Sequence, residues 1–409
     1  MNVYDARTED NLYFILPTDY SLTDGYDTSR RVLIIVHLFY LDSLDFYCNY
    51  ISKLDHRIRI IVISPIREVL QNISESIGRD DIVYILKENR GRDISALLIS
   101  SKEHIDNADY VCFVHDKKEH QNLQRDSETG FWVSGMWENT IGTQQYIENL
   151  IDVFESDPEL GVLTIPEPIG SYFDTWAGQG WYGSFDATKD LAQKLDLNCD
   201  ITPDKPPVSI GTVLWFRPAA LKKLFDHEWK YSDFDDDKLR DGNYLSYAVE
   251  RIFPYVAQDA GYKTGTVMTC EYAKKQTAIA QRISYIYSKT IKELIGVSVP
   301  SECEEILNRY DKLLEACRDR NDIYLYGAGY WGKVVLHLLR LRGIGPAAFI
   351  ETEKNDRDRM EDVDIVSLEE LGVPKRGSLV IVTVSGHERY DQISKRLEQA
   401  GCEYFWFWE

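Results

Sequence analysis

The stretch DIVYILKENRGRDISALL, residues 81–98, runs a strand, a turn and a helix start together. Residues 81–86 are apolar, β-branched and aromatic, the composition of a buried strand. Ile94, Leu97 and Leu98 then recur at i, i+3 and i+4, and Asp93 stands where an N-cap would accept backbone N–H bonds. A strand that turns through a glycine into a helix start presents free N–H groups and a positive dipole end to an anion. Arg90 and Arg92 add two permanent cations, so Asn89, Arg90, Arg92 and Asp93 are candidates for contact with a phosphate-bearing ligand. An isolated hit of this kind is more often a capped turn with solvated arginines, so the surrounding chain has to decide.

Working outward, residues 32–37 (VLIIVH), 58–64 (IRIIVIS) and 108–115 (ADYVCFVH) read as strands, and 41–54, 66–77 and 143–156 as helices. This alternation predicts a mostly parallel sheet covered on both faces, with ligands at the carboxyl ends of its strands. Those ends carry His37, Ser64, the ENRGRD turn and His115-Asp116-Lys117-Lys118. Residues 1–30 are polar and turn-rich and suggest no role.

The middle, 157–270, is less regular. It holds an aromatic, glycine-rich run, SYFDTWAGQGWYGSF (171–185), and a strand ending in an arginine, GTVLWFR (211–217). A helix follows at 243–253, with Leu245, Val249 and Ile252 as its buried stripe and Pro254 closing it. Further on, Pro300 precedes a capping box of Ser301 and Glu304, and Ile306, Tyr310, Leu313 and Cys317 repeat on one face of a connecting helix. NDIYLYGAGYWGKVVLHLL then opens a second, smaller α/β unit. In it Gly327, Gly329 and Gly332 lie between a strand and a helix, and Glu351 ends the next strand. That is the dinucleotide fingerprint in its context, with an acid positioned for a ribose. Residues 321–409 are nonetheless too few for a dinucleotide domain plus a substrate domain, and carry no hydride-handling set.

With 409 residues, 44% hydrophobic and 28% charged, the chain can bury two or three cores. Its 46 basic and 67 acidic residues, net −21, argue against nucleic acid or an anionic membrane as a bulk partner while leaving room for a local basic site. The start is acidic where a signal peptide is cationic and then apolar, and no apolar run approaches membrane-spanning length, so a cytoplasmic location is expected. Seven cysteines form no CxxC or Cys/His cluster, which fits free thiols and no structural zinc. Residues 274–292 are locally basic with interleaved apolar residues. Lipid-surface helices share that pattern with basic helices packed on their own domain, the commoner case.

His115-Asp116-Lys117-Lys118 ends a buried strand and reads either as a diphosphate site or as a solvated charged loop. In the first reading the lysines neutralise charge and His115 or Asp116 bonds a hydroxyl. Mg²⁺ or Mn²⁺ could use His115 and Asp116, but these ions want clustered carboxylates and adjacent lysines oppose them, so a site without metal is expected. His37 reads as a structural histidine or a donor contact. Trp181, with Trp176 and Tyr182, could stack on acceptor sugars, though aromatics at this density are more often anchors. Trp215 and Arg217 are further acceptor candidates.

VLIIVHLFY, ENRGRDISALL, CFVHDKK, WENTIG, DPELGVLTIPEP, GTVLWFRPAAL and YAVERIFPYVAQDAGYKT follow one another in a set order. Over roughly residues 31–270 the chain thereby resembles the rhamnan synthesis F family of bacterial glycosyltransferases. The resemblance implies a GT-A-like fold and transfer of a deoxysugar, typically L-rhamnose from dTDP-L-rhamnose, onto a lipid-linked precursor of a cell-surface polysaccharide. It implies that the strand end at His115 and Lys117 replaces the usual DxD metal motif. It also suggests Glu250 as the base of an inverting transfer, with Asp236, Asp237 and Asp241 as rivals. Glu250 comes late in its helix for that role, and it sits about 100° off the buried stripe.

The expected fold is α/β: an extension (1–30), a GT-A-like, mostly parallel sheet domain (31–295), a linker helix (296–320) and a small Rossmann-like domain (321–409). Expected partners are a nucleotide-sugar donor and a lipid-linked saccharide acceptor, with no nucleic acid; peripheral contact with the inner face of the membrane and homo-oligomerisation stay open. A nicotinamide-dependent sugar-nucleotide oxidoreductase or epimerase, and a non-catalytic scaffold of polysaccharide assembly, are the rival functions.

Overall fold

The computed structural model describes residues 12–23, 29–117, 133–166, 181, 183–203, 211–234, 245–295, 303–352, 358–373, 375–384 and 389–408. The chain divides into two compact units, Met1–Ala280 and Gln281–Glu409.

In the first unit, β1 (Tyr13–Leu16), β2 (Val32–His37), β3 (Arg59–Ser64), β4 (Ile82–Leu86), β5 (Tyr110–His115), β6 (Leu160–Thr164), β7 (Leu214–Phe216) and β8 (Lys263–Thr269) form one sheet. Its order is β1-β8-β6-β7-β5-β2-β3-β4. Neighbours pair parallel except at β7, which is antiparallel to both β5 and β6. Both faces are buried, as a parallel sheet requires. Val32, Ile34 and Val36 enter one core, with the helices Leu44–Ile51, Arg67–Ile77 and Gln144–Ser156. Leu33 and Ile35 enter the other, with Ile94, Leu97 and Leu98 and the helices Phe185–Lys194 and Leu245–Asp259.

Three expectations need correction. The segment before Arg31 supplies β1, an edge strand paired to β8, and Leu16 is buried in the core. Pro254 does not end its helix: the helix runs Leu245–Asp259 with the proline buried inside it. A proline there removes the hydrogen bond to the carbonyl four residues earlier, that of Glu250, and the buried flank from Ala248 to Ala257 holds the helix regardless. The helix after the ENRGRD turn begins at Arg92, with Gly91 as its N-cap in the left-handed region at φ +71°, so Asp93 lies inside the first turn. A Cβ at Gly91 would come within 2.8 Å of Phe234 Cγ, so both backbone and packing demand the glycine.

The second unit has a six-stranded sheet of β9 (Ile323–Tyr326), β10 (Ala348–Glu351), β11 (Arg359–Met360), β12 (Val363–Ser367), β13 (Leu379–Val382) and β14 (Tyr404–Trp406). The order is β11-β12-β10-β9-β13-β14, parallel apart from β11. Apolar clusters cover both faces. A helix, Cys303–Ala316, precedes β9, and Ser301 of the expected capping box lies outside the described residues. Among the described residues no helix is long and apolar enough to cross a membrane.

Candidate functional site

Side chains alternate between the faces of a strand, so His37 and His115 fall on the same face as Ile35 and Phe113. The two histidines are in register at the carboxyl ends of β2 and β5. The turn after β4 and the helix Leu245–Asp259 pack on that face too. β7 runs the other way, so it begins where its neighbours end. With Leu214 opposite Phe113, the preceding Gly211 and Thr212 arrive beside His115.

Gly211 joins the two halves of the site. Its carbonyl lies 2.6 Å from His115 Nε2, while its N–H bonds the Glu250 carboxylate. His115 Nδ1 lies 2.6 Å from the Asp116 carbonyl, and a neutral ring could donate to only one of these two oxygens. Asp93 is 3.8 Å from His115 Nε2. Thr212 Oγ1 donates to Glu250 at 3.4 Å. Gly211 and Thr212 both have positive φ, +87° and +50°, and a β-branched residue there marks stored strain.

Glu250 is largely buried and ion-paired with Arg251. Burial alone would raise its pKa, but Arg251, the Gly211 N–H and Lys117 outweigh it and hold the carboxyl below its ordinary value. Lys117 shows the converse: burial brings it down to about 8, against the pull of Glu250 and Asp93, with Arg92 and Arg251 pushing the same way as burial. Lys117, Glu250, Asp93, Arg92 and Arg251 thus share one electrostatic neighbourhood.

Other candidates have different employment. Arg90 is half-buried and its Nε donates to the Phe234 carbonyl at 2.7 Å, which anchors the turn; Asn89 is exposed, as is Arg92, whose charge acts on Lys117. Asp116 Oδ2 accepts from the Phe39 and Tyr40 amides at 2.6 and 2.8 Å, and burial lifts its pKa to about 6. His37 is buried, and neither ring nitrogen has a partner among the described residues. Burial, then the charges of Lys87 and His115, hold its pKa well below the usual histidine value, so the ring is neutral.

Trp215 is a core residue, fully buried with its indole N–H on the Thr140 carbonyl, and offers no face to a sugar. Arg217 is equally structural: it donates to the carbonyls of Leu160 and Phe154 and to the Tyr110 hydroxyl. Trp181 is buried against Phe185 and Tyr255. These three sequence candidates are therefore packing residues here. Trp176, Tyr182, Lys118, Asp236, Asp237 and Asp241 lie outside the described residues.

Lys87, Gly211, Thr212 and Arg251 were missed by sequence reasoning. Lys87 is buried with Nζ donating to the Glu88 and Arg90 carbonyls at 2.8 and 3.2 Å, which braces the turn. A lysine directly after an apolar strand was a usable signal; nothing local announced Gly211 or Thr212. The donor set suits a divalent cation poorly. Both His115 nitrogens face carbonyls, the Asp116 carboxylate is taken by two amides, and Lys117 adjoins them. Among the described residues no group of three or more His, Cys, Asp or Glu is arranged to hold a metal.

In the second unit, Gly327 and Gly329 lie between β9 and the helix Tyr330–Arg340, Gly332 falls in that helix's first turn, and Glu351 ends β10.

A family model described as rhamnan synthesis protein F matches residues 2–262, which includes every candidate site residue of the first unit named above. Two curated relatives, each an uncharacterized protein WxcX of Xanthomonas campestris pv. campestris (strains B100 and ATCC 33913), are 26% identical over 246 residues. The match covers 58% of this chain and 33% of each relative, so the chain spans about a third of their length.

Proposed function

The chain belongs to the rhamnan synthesis protein F family, and from that premise we propose that its strand-edge cluster transfers a deoxysugar from a nucleoside diphosphate onto a cell-surface polysaccharide precursor, with inversion. The expected donor is dTDP-L-rhamnose, the acceptor a lipid-linked saccharide, and the domain GT-A-like. What supports this reading is the electrostatic neighbourhood that Lys117 shares with Arg92 and Glu250, two cations and a carboxylate held below its ordinary pKa. Lys117 and Arg92 hold the diphosphate. As the bond from sugar C1 to the diphosphate oxygen breaks, its electron pair stays on that oxygen, where the cations stabilise it. Glu250 takes the acceptor hydroxyl's proton while the hydroxyl oxygen bonds C1 from the opposite face. Arg251 keeps Glu250 ionised and the Gly211 N–H orients it; His115, bonded to the Gly211 carbonyl, fixes that loop. The unmet nitrogens of His37 suit a donor hydroxyl.

The test is a screen of nucleotide-sugar donors by mass shift on a lipid-linked saccharide. Gain of one deoxyhexose from dTDP-L-rhamnose is expected. Donor binding without transfer to any acceptor would make the protein a scaffold instead.

A further inference from the structure

The second unit holds a group of residues that sugar transfer does not use, and we propose that they bind a ribonucleotide through its diphosphate and ribose. From β9 the chain steps to β10 and β12 on one side, then returns to β13 on the other, so its direction of winding reverses between β9 and β13. Parallel sheets take ligands in the crevice outside the strand ends at such a reversal. Thr383, just after β13, donates from Oγ1 to the carbonyls of Tyr326 and Gly327 at 2.9 and 3.1 Å and pins the turn there.

The three glycines differ in what requires them. Gly327 has φ +105°, which excludes a side chain. A Cβ at Gly332 would run into the Gly327 carbonyl oxygen, so that glycine sets the helix Tyr330–Arg340 hard against the turn. Gly329 is different. Its φ of −100° suits any residue, and among the described residues nothing lies within 4 Å of where its Cβ would be. Neither backbone nor packing calls for a glycine, and the space it leaves open adjoins the N-terminus of an eleven-residue helix, where N–H groups favour a diphosphate.

Glu351 lies on the neighbouring strand one residue past the Ile350–Tyr326 pair, level with Gly327. There a carboxylate can accept from ribose hydroxyls. At the same edge Trp406, in register with Val382, is 4% exposed and its indole N–H has no partner among the described residues. Its ring is packed in the apolar cluster with Tyr326 and Ile350 and stacked on Tyr390, and its unmet N–H is the donor we assign to the ligand. Because Glu351 reads the ribose diol, NAD⁺, ADP or UDP should bind here in preference to dTDP, which lacks the 2′-hydroxyl.

Calorimetry on the full chain with NAD⁺, ADP, UDP and dTDP tests this. At least one ribonucleotide should bind, and Gly329→Val should weaken it by about tenfold or more while the melting temperature holds, since no described residue lies within 4 Å of the new Cβ. Glu351→Gln should weaken it too, and neither variant should change dTDP binding by the first unit. No ribonucleotide binding, or binding that both variants leave intact, overturns the proposal. Loss of dTDP binding in Lys117→Ala bears only on the transfer reading.

Discussion

Glu250 and Lys117 are both partly buried, yet burial wins only at Lys117. In the free protein the ammonium should lose its proton as pH passes about 8, and donor affinity should fall with it. The expected outcome is an alkaline limb in kcat/KM near that pH, abolished in Lys117→Arg, whose guanidinium stays charged. A limb that survives the arginine variant would exclude Lys117. Lys117→Ala should cost roughly 1.5–3 kcal/mol of donor binding by calorimetry. Glu250→Gln should slow transfer about 10²- to 10⁴-fold and spare donor binding. The same change leaves Arg251 buried without its countercharge, which costs up to about 3–5 kcal/mol of stability, so thermal melts must accompany the rates. Normal turnover in that variant would reduce Glu250 to an ion-pair partner. Lys117 was legible because it follows a buried strand's end with a charge, whereas Glu250 was reached through the family resemblance. The use made of Asp116 was not legible, since its amide partners lie 76 and 77 residues earlier in the chain. Asp116 titrates at about 6 when folded against an ordinary 3.8, so between those values the folded state binds the extra proton and stability falls as pH rises. Asp116→Asn keeps an acceptor for the amides, and urea melts from pH 4 to 6 should lose about one proton's worth of that slope.

At the scale of elements, apolar runs disclosed β2, β3 and β5 because strands buried on both faces leave an uninterrupted hydrophobic signature. The run of β4 reads the same way, yet β4 is an edge strand with Val83 and Leu86 exposed. Strand direction left no such trace. The run around Trp215 reads as a strand either way, yet only the reversed β7 delivers Gly211 and Thr212 to the edge where β5 ends. Helix ends were misjudged for local reasons. A left-handed glycine, not the aspartate two positions on, caps the helix after β4, and packing carries the later helix through Pro254. The turn after β4 is thus held by Gly91 on one side and by Lys87 and Arg90 on the other. Gly91→Ala must force a side chain into a left-handed backbone and against Phe234 and Ser95. It should cost about 1–3 kcal/mol in denaturant melts and displace Arg92 enough to weaken donor binding. Unchanged stability with unchanged affinity would show the turn to be slack.

Across the whole first unit, the least legible part was its beginning. A four-residue strand among polar turns carries almost no local signal, and β1 exists because β8, about 250 residues later, offers it an edge. The family match from residue 2 runs through this segment. One side chain ties it down. Asn149, fully buried on the helix Gln144–Ser156, accepts from the Leu22 N–H at 3.1 Å and donates to the carbonyls of Pro17 and Tyr20 at 3.0 and 2.9 Å. Thr143 at the same helix's N-cap donates to the Thr18 carbonyl at 2.7 Å. Asn149→Ala therefore releases three backbone groups at once and should cost roughly 1–3 kcal/mol. Because the loss is confined to one edge, hydrogen exchange should quicken first in β1 and along the freed edge of β8, where an unpaired strand invites self-association. Exchange that quickened evenly through β2, β3 and β5 would mean that the segment is integral to the core rather than fastened onto it.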